Sequence, residues 1–292
     1  MALRSTSSLS RHFLSITAVL LATALSSCTG FFYYPSDAFY VPAERLGMRW
    51  RPYTLPRPGG GELTAAIVPG QGPDSGKGLV VLFHGNAQNM TAHWTNLAWM
   101  VRRGWDILAW DYSGYGASDG KASQKQITLD TRAFLDWTAD SILPRYHGRV
   151  VLVGQSLGGT ILLRGFPEWK ARSRVDLVLI EGSFDSYRAM ARDVVSRNWF
   201  TWPLVPFATL LVSDAESPAP WIAKVSPTPL LVVSCGEDKS VPSRFQRRID
   251  ALAHDPHWLW DIQGCRHISA FRQDSVRSRL FSLLDSLPLA RP

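Results

Sequence analysis

The residues best suited to chemistry lie in three short stretches. Ser156 sits in Gly154-Gln155-Ser156-Leu157-Gly158-Gly159, a G-x-S-x-G pattern entered from the apolar run Arg149–Val153 and followed by an apolar helical stretch. The glycines let the backbone pass through a strained turn that lifts the hydroxyl into a cleft. The helix that follows aims its first amides at developing negative charge. A serine hydroxyl is a weak nucleophile, so a base must take its proton and an acid must orient that base. Gly264-Cys265-Arg266-His267 supplies the candidate base, His267, after the last apolar run. Cys235-Gly236-Glu237-Asp238-Lys239 supplies the candidate acid, Asp238, after the run Leu230–Ser234. Glu237 is the nearest rival for the acid and Asp185 a more distant one. His254 and His257 precede the last run and read as surface or packing residues. Such a serine, histidine and carboxylate would attack a carbonyl carbon, form an acyl-enzyme and release it to water.

Apolar runs alternate with helical stretches along most of the chain. Leu79–Phe83, Trp105–Trp110, Arg149–Val153, Val175–Ile180 and Leu230–Ser234 are continuous, and His257–Ile262 is a weaker example. Runs apolar on both faces suit parallel strands buried between helices. Leu63–Val68 reads as a further strand after the turn Gly59-Gly60-Gly61. Helices are expected at Met90–Arg103, Gln124–Ser141, Leu157–Phe166, Ser186–Asn198, Val241–Ala253 and Ile268–Leu287. The alternation predicts an α/β fold, a doubly wound and mostly parallel sheet with right-handed crossovers. Trp199–Pro220 breaks the rhythm with four prolines and reads as a small cap or lid insertion at 199–220. Its Trp199, Phe200, Trp202, Leu204, Val205 and Phe207 could line an acyl pocket, pack on the core or face a membrane.

The chain has 292 residues, 46% hydrophobic and 19% charged, which excludes a disordered chain. A mean hydropathy of −0.05 argues against a polytopic membrane protein. The formal charge is +7 and no Lys/Arg block is present, which speaks against a nucleic-acid groove. Weak attraction to anionic membrane surfaces suits that charge better. Arg4 and Arg11 precede an uncharged apolar stretch from Phe13 to Leu25, the pattern of a secretory signal. Leu25-Ser26-Ser27-Cys28 resembles a bacterial lipobox. The resemblance implies removal of residues 1–27 and acylation of Cys28, giving firm membrane anchoring. With Thr29 and Gly30 next and no Asp after the cysteine, it implies, for a Gram-negative source, the outer membrane, facing the periplasm. An ordinary secretory signal and an uncleaved anchor are the alternatives. Residues 28–58, aromatic and Pro-rich for most of their length, read as a membrane-proximal segment leading into a domain over 59–292. No H-E-x-x-H, C-x-x-C, phosphate loop or dinucleotide fingerprint occurs, so no metal or cofactor is expected.

From about residue 40 onward the chain resembles the α/β-hydrolase superfamily, whose chain order is Ser…Asp…His. His84-Gly85-Asn86-Ala87, Asp111-Tyr112-Ser113-Gly114-Tyr115-Gly116 and Glu181-Gly182-Ser183-Phe184 resemble its serine-aminopeptidase-like branch. Acyl-protein thioesterase-like proteins and many esterases belong to the same branch. The resemblance implies an oxyanion hole from the amides of Asn86 and Leu157, with His84 bracing its loop. Asp111 reads as structural in its glycine-rich turn. The implied activity is hydrolysis of carboxylic esters or thioesters. A serine peptidase on the same scaffold and a non-catalytic envelope binding lipoprotein are the other readings. The two cysteines depart from the branch: Cys235 stands three residues before Asp238, and Cys265 two before His267. Neighbouring strands, as this fold implies, would bring them to one sheet edge, as a disulfide or as two buried thiols.

Overall fold

Ten strands order the chain in the computed structural model, which describes residues 32–73 and 75–290. The expected signal peptide and Cys28 lie outside the described residues. The strands are β1 (Tyr34–Pro35), β2 (Arg51–Pro56), β3 (Glu62–Val68), β4 (Gly78–Phe83), β5 (Ala87–Gln88), β6 (Trp105–Trp110), β7 (Arg149–Gln155), β8 (Leu177–Glu181), β9 (Leu230–Cys235) and β10 (His257–Ile262). Eight of them form one sheet in the order β10-β9-β8-β7-β4-β6-β3-β2. From β10 to β6 every pairing is parallel, and β3 and β2 continue antiparallel to the edge. The architecture is the doubly wound, mostly parallel sheet that the alternation predicts.

The central strands lie where they do because both their faces are apolar. In β4, Leu79, Val81 and Phe83 join one core and Val80 and Leu82 the other, all five buried. The first core is covered by α3 (Gln124–Trp137), α4 (Leu157–Gly165), α5 (Tyr187–Ser196) and α7 (Ser243–Leu252). On the second lie α1 (Met90–His93), α2 (Ala98–Val101) and α8 (Asp274–Ser286). Two helix starts are fixed by serine caps. Ser123 Oγ accepts from the Gln126 amide at 3.2 Å, and Ser186 Oγ from the Ala189 amide at 3.0 Å.

Four stretches differ from expectation. Residues 51–56, read as part of the segment leading into the domain, form the edge strand β2. Pro52 and Pro56 are tolerated there because an edge strand needs fewer ladder donors. The helix expected at 90–103 is α1 and α2 joined by a 3₁₀ turn at Trp94–Leu97. The helix expected to begin at 268 starts at Asp274, after a 3₁₀ turn at Ala270–Arg272. Residues 199–220 hold a 3₁₀ turn, Trp202–Leu204, and a short helix α6 (Val205–Leu211) packed on α5.

β4 pairs with both β6 and β7, so the chain leaves it in opposite directions. Such a switch opens a crevice at the carboxyl ends of the strands. The loop after β4 and the turn after β7 both lie there.

Candidate active site

Ser156 occupies the turn between β7 and α4 with φ +54° and ψ −120°. A non-glycine residue holds such a conformation only where its surroundings over-determine it. Its amide donates to the Glu181 carbonyl at 2.8 Å. A Cβ at Gly154 would collide with the Gly159 backbone, and one at Gly158 with the Phe83 carbonyl. Both glycines are therefore required by close approach of β7, α4 and β4. Leu157 opens α4, so its N–H belongs to the first turn, which has no partner within the helix.

His267 Nδ1 stands 2.7 Å from Asp238 Oδ2. The other carboxylate oxygen of Asp238 accepts from the amides of Ser240 at 2.8 Å and Val241 at 2.9 Å. Asp238 is buried, so these bonds fix its orientation. Of the rival acids, Glu237 is exposed and Asp185 pairs instead with Arg248 at 2.8 Å. Burial pushes the Asp185 carboxyl above its ordinary range. His254 is exposed, and His257 lies 3.5 Å from Asp250. Cys235 and Cys265 are joined by a disulfide, with Cα atoms 5.1 Å apart. The bond links the end of β9 to the loop after β10, where the Glu237 amide also donates to the Cys265 carbonyl at 3.0 Å. The loops carrying Asp238 and His267 are thus held together on both sides.

Ser156, Leu157, Asn86 and His267 all border one cavity of about 440 Å³. Its remaining wall is largely apolar, with Phe32, Tyr34, Phe184, Met190 and Val194 among the contributors. Asn86 is held by its side chain, whose Oδ1 accepts from the Tyr34 amide and the Tyr115 hydroxyl, each at 3.0 Å. β1 pairs with β5 directly beside it, so the start of the described chain buttresses the loop after β4. His84 is fully buried beneath that loop. Its Nε2 lies 3.2 Å from Asp111 Oδ1, and its ring stacks on Tyr112 at 4.2 Å between centroids. Gly116, at φ +54°, leaves the space that the Asp111 carboxylate fills. Both residues brace the loop from below.

Two residues here were given no role by the sequence reading. His93, on α1, lines the cavity and donates from Nε2 to the Ala87 carbonyl at 3.0 Å. Burial, aided by the neighbouring His84, lowers its pKa to about 4, so the ring is neutral near pH 7. No motif marks it, since a histidine in an apolar helical stretch looks like packing. Glu181 ends β8 wholly buried, and its Oε1 accepts from the Ala270 amide at 2.7 Å. Burial raises its carboxyl to about 7. An acid closing an apolar strand run, just before a glycine, was the available signal.

Residues 74–264 match the sequence model of the serine aminopeptidase S33 family. The uncharacterized protein YfhR of Escherichia coli K12 is 30% identical over 249 residues, covering 82% of this chain and 80% of YfhR. Among solved structures, the esterase Pf2001 of Pyrococcus furiosus superposes with a TM-score of 0.65 at 18% identity. That match covers 88% of this chain and 97% of the esterase. A puromycin-hydrolyzing peptidase of Mycobacterium tuberculosis gives a TM-score of 0.58 at 17% identity, over 81% of this chain and 38% of the peptidase. At such identities the structures speak to fold alone. The chain belongs to the serine aminopeptidase S33 family and has the α/β-hydrolase fold.

Proposed function

We propose that this α/β-hydrolase cleaves carboxylic esters or thioesters with Ser156 as nucleophile, His267 as base and Asp238 as the acid orienting it. One observation carries the reading: Ser156 and His267 border the same apolar cavity, with Asp238 bonded to the far nitrogen of His267. Ser156 Oγ attacks the carbonyl carbon while its proton passes to His267 Nε2. Asp238 keeps Nδ1 protonated and stabilises the imidazolium that forms. The amides of Leu157 and Asn86 receive the oxyanion, the helix start adding its dipole. The leaving alcohol or thiol takes the proton from His267, and water then releases the acyl group by the reverse relay. By the lipobox resemblance, Cys28 tethers this activity to the envelope membrane.

A peptidase reading draws on the family description. Against it, the cavity lining contains no Asp or Glu among the described residues, so nothing there balances a substrate ammonium. The test is labelling by a fluorophosphonate probe with mass mapping. Labelling at Ser156, absent in Ser156→Ala, is expected. A folded protein that takes no label, with or without detergent, would favour a binding module.

A further inference from the structure

Seven of the twelve large hydrophobic side chains exposed among the described residues fall between Val194 and Leu210. Trp199, Phe200, Trp202, Leu204, Phe207 and Leu210 are each more than half exposed, and the first two lie together with ring centroids 3.8 Å apart. A cluster of this kind marks an interaction face. Beside it runs a groove of about 370 Å³ whose walls include Trp202, Arg192, Arg244 and Arg248. Two carboxylates oppose these cations. Asp193 accepts from Arg197 and Arg244, and Asp185 pairs with Arg248. Four arginines against two acids leave a positive excess, and Arg192 is exposed. Exposed tryptophans flanked by arginines suit the boundary of an anionic bilayer, where rings sit among headgroups and cations meet phosphate.

The position of the face narrows the occupant further. Helix α5 separates it from the cavity, which α5 lines with Met190, Ala191 and Val194. Phe32, where the described chain begins, packs edge-on against Tyr187 of α5 with centroids 5.4 Å apart. Cys28 precedes Phe32 by four residues, a covalent reach of about 14 Å. An acylated Cys28 would therefore keep lipid within reach of the side on which α5 lies.

We infer that residues 194–210, with the arginines of the adjoining groove, are the surface by which this chain docks on an anionic phospholipid bilayer. The inference concerns how the molecule sits and stands whether or not Ser156 is reactive.

The full chain reconstituted into phosphatidylcholine–phosphatidylglycerol vesicles with brominated acyl chains provides the test. Trp199 and Trp202 are the exposed tryptophans among the described residues, so their fluorescence should be quenched. Trp199→Phe with Trp202→Phe, which keeps the apolar face, should remove most of that quenching. Arg192→Ala should lower the docked-to-undocked ratio about fivefold, and omitting phosphatidylglycerol should lower it more. Phe200→Ser with Phe207→Ser should release the face, near-UV circular dichroism confirming the fold. Quenching that survives the tryptophan pair, or that ignores phosphatidylglycerol, overturns the inference. So does a dimer in mild detergent that the serine variant splits, since the face would then belong to a second copy.

Discussion

The turns at the ends of β7, β9 and β10 and the segment from Trp199 to Leu211 line up against the same α/β frame, yet they are built by opposite rules. Around Ser156 and Asp238 the polar groups are assigned. The Ser156 amide has a carbonyl partner, Asp238 accepts from two amides and His267, and Gly158 has no room for a Cβ. The turn Trp202–Leu204 and helix α6 contain no buried residue at all. Geometry that must serve a reaction is over-determined from within. A surface whose job is to meet something takes its order from what it meets, and few of its side chains are fixed beforehand.

Substitutions in the two regions should differ in what they cost. Asp238→Asn should lower kcat/KM for an activated ester about 10⁴-fold with the fold intact, because the base loses its tautomer and its counter-charge. An unchanged rate would return the acid role to Glu237 or Asp185. Replacing both Cys235 and Cys265 by serine should reduce the free energy of unfolding in urea by about 3–4 kcal/mol, the chain-entropy effect for a separation of 30 residues.

The buried acid and the buried histidine give a pH signature. Glu181 rises from 4.5 to about 7 on folding, so the folded state holds its proton more tightly. Its stabilising effect is complete below pH 4.5 and is lost as pH climbs toward 7. His93 falls from 6.5 to about 4, so its effect is complete above pH 6.5 and is lost as pH falls toward 4. The two slopes nearly cancel between pH 4.5 and 6.5. Glu181→Gln should therefore match the parent at pH 4, exceed it at pH 8 by about 3 kcal/mol, and reveal the rising slope of His93. Equal stability of variant and parent at pH 8 would contradict this. The smallest pair compares like with like. Gly158→Ala should cost about 1–3 kcal/mol through the clash with Phe83, whereas Trp202→Ala should stay within about 0.5 kcal/mol.

What could be read in the sequence follows the same division. β6 coincides with the expected run residue for residue, since two-sided burial leaves a run of apolar letters, and β10, an edge strand only partly buried, coincides with its weaker run. β2 was illegible because an edge strand alternates and here carries two prolines, which resemble a linker. The long helix expected at 90–103 broke where Trp94–Leu97 tightens to 3₁₀, a change made by packing rather than by any breaker residue. Ser156, Asp238 and His267 announce themselves by glycines and strand ends. His93 does not, because it holds a backbone carbonyl, which leaves no trace in the letters, and Glu181 shows only as an acid at a strand end before a glycine, with its amide partner unmarked.

The lacing of residues 34–40 onto the loop after β4 has a mechanical meaning. Besides the β1–β5 ladder, Asn89 Nδ2 donates to the carbonyls of Ser36 and Ala38, and the Tyr40 amide donates to Thr91 Oγ1. These residues lie between the N-terminus and the first strand of the main sheet. A pull on the chain ahead of Tyr34 would be delivered to the wall that holds Asn86 before it reached the main sheet. A chain trimmed back to Val41 would keep its main sheet while losing the stay that steadies the mouth of the cavity.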